Sequence, residues 1–186
     1  DIIVKHDMKA AALGEWAYGA GHGEENLLYI SCGAGLGAGI ILRSALYEGT
    51  RRNAGEIYDY LDRRLPDQTG TLEDRICMKR LIESCNADIQ TGIVTTLKDR
   101  KQPVDFADIV DAYRNGDAYV CDKVERICEE LCTLMFNYGN FLAVDQIVFG
   151  GEYAVFGERL LAIYKTRFQA LLTNGSCVRI AALGRY

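Results

Sequence analysis

The first part of the chain combines a short apolar run with an alanine-rich helical stretch. The run Ile2–Val4 predicts a buried strand over residues 1–5, and a chain that begins inside a strand is expected to be a fragment cut from a longer protein. The stretch Met8–Tyr18 predicts a helix, with Asp7 at the position of its N-cap. Strand, acidic residue and helix therefore follow one another at the N-terminus.

Two further strands enclose a glycine-rich stretch. Strands are predicted over Asn26–Cys32 and Ile40–Leu46, and residues 33–39 between them have the sequence GAGLGAG. Two strands joined by a glycine turn form a hairpin. Such glycines also let the backbone approach a ligand, and successive amides can hold a phosphate. The sequence alone favours a plain tight turn, because the stretch lies between two strands and lacks the lysine and hydroxyl of a P-loop.

The middle of the chain is predicted to be mainly helical. Thr71 and Asp74 have the spacing of a capping box and open a helix. A short helix is expected over Phe106–Tyr113, and the longest periodic stretch, Asp117–Phe141, predicts a helix that crosses the core. The apolar face of the first of these helices consists of Cys77, Leu81, Ile82 and Cys85.

A strand, a turn, a helix and a last strand complete the pattern. The apolar segment Gln146–Phe149 predicts a strand that ends in the turn Gly150–Gly151, followed by a helix over Phe156–Leu172 and a strand over Cys177–Leu183. Strands near both ends with helices between them indicate one α/β domain, with a small helical elaboration around residues 60–115. The residues expected to face the core from the last helix are Leu160, Ile163, Tyr164 and Leu171.

The composition excludes several classes of protein. Hydrophobic residues make up 49% and charged residues 25% of the 186 residues, which is typical of a folded soluble chain and excludes a disordered one. The net charge of −5 provides no dense basic face, so this chain alone is not expected to bind nucleic acid. No apolar run reaches the roughly 18 residues of a membrane span. The seven cysteines lack CxxC spacing, which indicates reduced thiols in a cytoplasmic protein, and Cys121, Cys128 and Cys132 share one helical face and are expected to be buried.

Four polar residues have a chemistry that the sequence leaves open. Asp7 is either a plain helix N-cap, which the sequence alone favours, or a general base at the mouth of a site. Glu56 follows a polar stretch and could bind a hydroxylated ligand, although a lone surface glutamate is usually only solvated. His6 and His22 belong to no cluster with metal-ligand spacing, so metal binding is not expected.

Four segments, in this order, carry the motifs of a known family. They are HDMKAAALGE at His6–Glu15, GAGLGAG at Gly33–Gly39, Gly49 with AGEI at Ala54–Ile57, and VFGG at Val148–Gly151. Together they resemble the ROK family (repressors, open reading frames and sugar kinases) of the actin-like ATPase superfamily. In that family the corresponding motifs are Asn-Asp before an Ala-rich helix ending in Glu, Gly-Thr-Gly-Ile-Gly-Gly-Gly, Ala-Gly-Glu-Ile-Gly-His, and an adenosine-side glycine turn.

The resemblance implies a fold and a set of site residues. Residues 1–186 would form the C-terminal lobe of an actin-like, ribonuclease H-like α/β fold, a mixed sheet flanked by helices, with the N-terminal lobe and any DNA-binding domain outside the chain. Asp7 would be the catalytic base that takes the proton of a sugar hydroxyl. The sugar-binding residues would be His6, Asp7, Glu56 and Asp59. The phosphate- and nucleotide-binding residues would be Gly33, Ala34, Gly35, Gly37, Gly150 and Gly151.

This chain also departs from the family pattern. The family's Asn is His6, the Thr of its phosphate loop is Ala34, and the His that closes its third motif is Asp59. Its cysteine-rich zinc element aligns with Arg64–Glu73, which contains no cysteine, so no metal is expected. The sequence contains no Asp-x-Gly-Gly-Thr phosphate loop, so no cofactor is expected in this fragment, and ATP with Mg²⁺ would be needed only by a full-length kinase.

These departures favour a regulator over a kinase. We expect the sugar-sensing effector domain of a ROK-type transcriptional regulator, with a monosaccharide or amino-sugar ligand. We also expect a homo-oligomer that contacts DNA only through a domain preceding residue 1 and has no membrane partner. The first alternative is the C-terminal lobe of an ATP-dependent, glucokinase-like hexose kinase that keeps Asp7 as its base. The second alternative is an oligomerisation lobe that binds no sugar.

Overall fold

A five-stranded mixed sheet with helices on both faces forms the framework of the protein, which confirms the predicted α/β class. The computed structural model describes residues 6–60, 70–168, 171 and 175–184. The helices are α1 (Asp7–Tyr18), α2 (Leu72–Ile76), α3 (Met78–Gln90), α4 (Phe106–Arg114), α5 (Ala118–Leu142) and α6 (Gly157–Ile163). The strands are β1 (Leu27–Cys32), β2 (Leu36–Leu42), β3 (Ala45–Leu46), β4 (Gln146–Gly150) and β5 (Cys177–Ile180).

The strand order is β3-β2-β1-β4-β5, so the predicted hairpin forms one half of the sheet. Strand β2 pairs antiparallel with both β1 and β3, whereas β4 pairs parallel with both β1 and β5. Parallel neighbours need long crossover connections, and the helices α2 to α6 supply them. The carboxyl ends of β1 and β4 therefore lie side by side, each followed by a glycine-containing turn.

Both faces of the central strands are buried, with the two-residue alternation of a strand. In β1, Leu27 and Tyr29 join Ala12 of α1 in one buried cluster. Their neighbours Leu28 and Ile30 join the larger cluster on the opposite face, which contains residues of α2 to α6. This two-sided burial explains why the strand appears in the sequence as an unbroken apolar run.

The hairpin turn is shorter than predicted, and β2 begins earlier. Cys32 pairs directly with Leu36, so only residues 33–35 form the turn, and the expected strand over Ile40–Leu46 instead divides into β2 and the short β3. The later glycines have a packing role: a Cβ at Gly39 would lie 2.4 Å from the Ala12 Cβ and 2.8 Å from the Met8 carbonyl oxygen. Glycine lets α1 lie directly on this strand.

The helix predicted to begin at Thr71 is interrupted. Its capping box is confirmed, because the Thr71 hydroxyl accepts from the Asp74 N–H and the Asp74 carboxylate accepts from the Thr71 N–H. The backbone becomes extended at Cys77, with ψ at 159°, and the chain continues as a second helix, α3. The first amide of α3, at Met78, donates to the Gly33 carbonyl at 2.7 Å, so this break attaches the helices to the hairpin turn.

The C-terminal prediction is correct in order but not in detail. Where helix was expected over Phe156–Leu172, a 3-10 turn, Glu152–Phe156, leads into α6, and a π-helical turn, Tyr164–Phe168, follows; residues 169–170 and 172 lie outside the described residues. Leu171, which was expected to face the core, is 63% exposed. The last strand ends at Ile180. Beyond it the chain turns towards α1, where the N–H groups of Ala182 and Leu183 donate to the Glu15 carboxylate.

The expected N-cap of α1 was wrong by one residue. The N-cap is His6, and Asp7 is the first helical residue. The predicted strand over residues 1–5 and the zinc-element alignment over residues 64–69 lie outside the described residues. Within the described ranges, no helix is long and apolar enough to cross a membrane.

The cysteines are mostly buried, as their positions on apolar faces predicted. Cys128 and Cys132 lie in the core and Cys121 is half-buried, whereas Cys177 is exposed at the start of β5. Burial raises the pKa of Cys32, and it raises that of Cys128 to about 12. A buried thiol with a raised pKa is a poor nucleophile, because the thiolate is the reactive form.

We expect one thiol to react quickly with a disulfide reagent in the native protein. That thiol is Cys177, since the other cysteines are buried or half-buried. Mixing the native protein with the reagent at neutral pH should give a fast phase of about one thiol, followed by slow phases limited by local opening. The fast phase should disappear in Cys177→Ser. Its persistence in that variant would contradict the prediction.

Candidate functional site

Five segments meet around a cavity of about 330 Å³ at the carboxyl end of β1. They are the start of α1, the hairpin turn, the loop that contains Glu56, the first turn of α2 and the 3-10 turn that begins at Glu152. The structure therefore brings together most of the residues predicted from the sequence. The predicted site residues that line the cavity are His6, Asp7, Ala34, Gly35, Gly37 and Glu56.

Asp7 lies at the mouth of this cavity, in the first turn of α1. Its Oδ1 accepts the Met8 N–H at 2.8 Å and is 2.9 Å from His6 Nδ1. The Asp7 side chain is 76% exposed, so its carboxylate is accessible from outside the lobe. A carboxylate in this position can accept a hydrogen bond from an alcohol or take its proton. Whether Asp7 acts as a base stays a prediction.

Glu56 is held beside the hairpin by the residue before it. Gly55 has φ at +92°, and a Cβ there would lie 2.2 Å from the Ala38 carbonyl oxygen, so the position requires glycine. The Ala38 N–H donates to the Gly55 carbonyl at 2.9 Å. This contact fixes the loop on β2 and carries Glu56 to the cavity wall. Asp59 ends the short 3-10 turn Ile57–Asp59, and its side chain lies outside the described part of the structure.

Glu73 is a site residue that the sequence did not single out. It lies in the first turn of α2 and lines the cavity, and its Oε2 accepts the Leu36 N–H at 2.7 Å. The capping box at Thr71 marked the start of this helix in the sequence. That local signal did not show that the helix start would contact the hairpin, 37 residues away.

Four carboxylates make the described lining of the cavity rich in hydrogen-bond acceptors. Asp7, Glu56, Glu73 and Glu152 contribute carboxylates, and the described lining residues include no lysine or arginine. Ionised carboxylates only accept hydrogen bonds, and such bonds are stronger than neutral ones. A neutral ligand with many hydroxyl donors suits this lining better than an anion does.

The residues predicted on the nucleotide side lie in two places. Gly150 and Gly151 line a separate cavity of about 500 Å³ with Tyr29 and Phe106, on the other side of Glu152. Glu152 itself lines both cavities. Gly33 is in the hairpin turn, where its N–H donates to the Gly35 carbonyl at 3.0 Å. The predicted phosphate-binding roles of these glycines stay predictions.

Metal binding finds no support in the described residues. No group of three or more His, Cys, Asp and Glu side chains within residues 6–60, 70–168, 171 and 175–184 has an arrangement that could hold an ion. Residues 64–69, which align with the family's zinc element, lie outside those ranges. The expectation that the protein holds no zinc therefore stays a prediction.

Comparison with known proteins identifies the family. The sequence model of the ROK family matches residues 1–183. The glucokinase of Halalkalibacterium halodurans is 31% identical, over 98% of this chain and 59% of its own length. This chain thus spans less than two thirds of that relative.

Solved structures share the fold. A ROK family transcriptional regulator, a homologue of the E. coli MLC protein, superposes with a TM-score of 0.80 at 22% identity, over 95% of this chain and 46% of its own. A ROK family glucokinase from Streptomyces griseus, in complex with glucose and AMPPNP, gives a TM-score of 0.76 at 25% identity, over 98% of this chain and 64% of its own. The expected actin-like architecture is confirmed. Because the family model matches nearly the whole length, this chain belongs to the ROK family, which includes both sugar kinases and transcriptional regulators.

Proposed function

We propose that this chain is the sugar-binding effector lobe of a ROK-type transcriptional regulator. The observation that supports sugar binding is the meeting of Asp7, Glu56 and Glu73 around one cavity. Sugar hydroxyls donate to carboxylates, and a cavity of about 330 Å³ falls within the range of small-molecule sites. The ligand would be a monosaccharide or an amino sugar.

Two substitutions favour a regulator over a kinase. Ala34 stands where the family's phosphate loop has a threonine, so it offers no hydroxyl to a phosphate. His6 stands where the family has an asparagine, and its Nδ1 lies 2.9 Å from Asp7 Oδ1. Regulation through this lobe requires only that sugar binding favours one arrangement of the whole protein over another. DNA contact would belong to a domain outside this chain, and the regulator would act as a homo-oligomer.

A kinase is the second candidate, and the exposed carboxylate of Asp7 is the observation that favours it. In that case Asp7 would accept the proton of the attacking hydroxyl, while ATP and Mg²⁺ would be held with the help of an N-terminal lobe. The sequence that precedes residue 1 discriminates between the two. A helix-turn-helix supports the regulator, and Asp-x-Gly-Gly-Thr supports the kinase.

We expect Glu56→Gln in the full-length protein to weaken sugar binding by about 10- to 100-fold. Replacing the charged acceptor of a ligand hydroxyl costs roughly 1.5–3 kcal/mol. Calorimetric titration with a panel of hexoses, pentoses and N-acetylated amino sugars measures this change. The exposed Glu158, on α6, provides the matched control Glu158→Gln, whose affinity should equal that of wild type.

Asp7→Asn separates the candidates in the same titration. A sensor should still bind its sugar, only more weakly, and should show no phosphorylation in a coupled assay. A kinase should lose turnover in this variant while its sugar affinity changes little, because the proton acceptor acts mainly in the transition state. Robust phosphorylation by the wild type would overturn the regulator. Failure of every sugar to bind would favour an oligomerisation lobe.

A further inference from the structure

We infer that the Glu152 carboxylate occupies the phosphate-binding position of the hairpin turn and excludes nucleotide phosphate from this lobe. In ROK kinases this position would be left to an anion, held by successive backbone amides. Here a side chain of the protein itself makes the contact. The inference concerns the same site as the proposed effector function and gives it a physical basis, but it does not depend on which sugar binds.

Three backbone amides at or beside the turn, those of Gly33, Ala34 and Leu36, already have acceptors. Glu152 Oε2 accepts the Ala34 N–H at 3.2 Å, and Glu73 Oε2 accepts the Leu36 N–H at 2.7 Å. The Gly33 N–H is directed to the Gly35 carbonyl within the turn. These three donors are therefore engaged inside the protein, two of them by carboxylates.

The Glu152 carboxylate also fills the space beside the turn. A Cβ built on Gly33 would lie 1.8 Å from Glu152 Oε2 and 2.7 Å from Glu152 Cβ. The whole side chain, and not only its tip, thus lies against the turn backbone. An anion bound at Ala34 would have to displace it.

The backbone around Glu152 is fixed on both sides. Before it, Gly150 of β4 pairs with Ser31 of β1, which brings the end of β4 beside the hairpin. After it, Tyr153 is 1% exposed and its hydroxyl donates to the Ile76 carbonyl at 2.9 Å. Glu152 therefore projects towards the turn from a buried, hydrogen-bonded segment.

Charge acts in the same direction as this contact. Glu152 and Glu73 place two acidic groups at the turn, where each accepts a backbone N–H. A polyphosphate would bring several negative charges to this place and meet like charges at short range. A neutral sugar meets no such repulsion, so the arrangement selects against phosphates while it leaves sugar binding possible.

The test is the binding of inorganic pyrophosphate, and of AMPPNP with Mg²⁺, to the full-length protein by calorimetry. Wild type should bind both only at about millimolar concentration or above. Glu152→Gln removes the charge at nearly constant shape, and Glu152→Gly also frees the space. Each should bind pyrophosphate at least about ten-fold more tightly than wild type. The control Glu158→Gln should behave as wild type.

The outcomes are separable from those of the sugar experiment. Micromolar binding of pyrophosphate or AMPPNP to wild type would overturn the inference. So would an unchanged pyrophosphate affinity in both Glu152→Gln and Glu152→Gly, with wild-type melting curves. A gain for pyrophosphate but not for AMPPNP supports exclusion at the turn itself. Failure of sugars to bind would count against the proposed function and would leave the pyrophosphate result standing.

Discussion

Replacing Glu15 with alanine should lower the free energy of unfolding by about 3–5 kcal/mol. Glu15 lies in α1 and is only 3% exposed. Its Oε2 accepts the N–H groups of Ala20 at 2.8 Å and Ala182 at 3.0 Å, and its Oε1 accepts that of Leu183 at 2.8 Å. Alanine would leave three amides without their charged acceptor and would detach the segment after β5 from α1.

Urea unfolding monitored by circular dichroism measures this loss. Glu15→Gln should fall between wild type and Glu15→Ala, since an amide keeps one acceptor oxygen but turns its NH₂ towards the other amides. Glu158→Gln is the matched control and should stay within about 0.5 kcal/mol of wild type. A loss of less than 1 kcal/mol in Glu15→Ala, with an unchanged slope, would show that these hydrogen bonds contribute little.

Replacing Asp117 with alanine should cost about 2–4 kcal/mol. Asp117 is the N-cap of α5 and is 7% exposed. Its Oδ1 accepts the Val120 N–H at 3.0 Å, while its Oδ2 accepts the Thr96 N–H at 2.6 Å and the hydroxyls of Thr95 and Thr96 at 2.9 and 2.8 Å. One carboxylate thus caps the longest helix and holds a distant loop against it.

Asp117→Asn tests whether one side chain needs both carboxylate oxygens to cap α5 and to hold the threonine loop. Its single amide oxygen can serve either the helix cap or the threonine loop, and the NH₂ then meets donors on the other side. We expect a loss smaller than that of alanine but larger than about 1 kcal/mol, measured by urea unfolding. Equal stability of Asp117→Asn and wild type would mean that the loop contact contributes nothing.

Asp117 should also contribute to acid unfolding. Burial by itself raises the pKa of Asp117, but the hydrogen bonds from Thr96, Val120 and Thr95 outweigh it and lower the pKa. A lowered folded-state pKa gives a stabilisation that is fully present above the unfolded-state value, about 3.9, and is lost as the pH falls towards the folded-state value. Stability measured between pH 6 and pH 3 should fall less steeply in Asp117→Asn than in wild type. Identical slopes would contradict this assignment.

Some of the acid sensitivity should remain in that variant. The pKa of Asp88 is lowered by hydrogen bonds from Tyr119 and Lys123, and the pKa of Glu125 is lowered by a hydrogen bond from Arg159. Both carboxylates are more exposed than Asp117, so solvent screening reduces their contributions. The difference between wild type and Asp117→Asn therefore isolates the buried carboxylate.

The sequence by itself determined the local elements of this protein. The periodic positions Val124, Cys128 and Leu131 predicted the long helix almost to its ends, because burial of one face requires that spacing. The glycine turn predicted the hairpin, and Thr71 with Asp74 predicted the start of α2, because caps and turns are made by residues close together in the chain. The order of motifs gave the family.

Tertiary contacts determined where some of these elements break and how they pack on one another. The helix predicted after Thr71 breaks at Cys77, where the amide of Met78 is taken by the carbonyl of Gly33. In the sequence, Gly39 belongs to the glycine-rich stretch that could approach a ligand. In the structure it lies in β2 under α1, where a side chain would collide with Ala12. Both outcomes depend on contacts between segments that local periodicity does not describe.

The site residues also divide into those that the sequence identified and those that only the tertiary structure revealed. Asp7, Ala34 and Glu56 could be selected from motifs, and the fold brings them to one cavity. Glu73 and Glu152 could not, because each acquires its place by accepting an amide of the hairpin 37 or 118 residues away. A glutamate has the same local propensity whether its partner is water or a distant backbone N–H. Only the folded arrangement of β1, β4 and α2 determines which of the two it contacts.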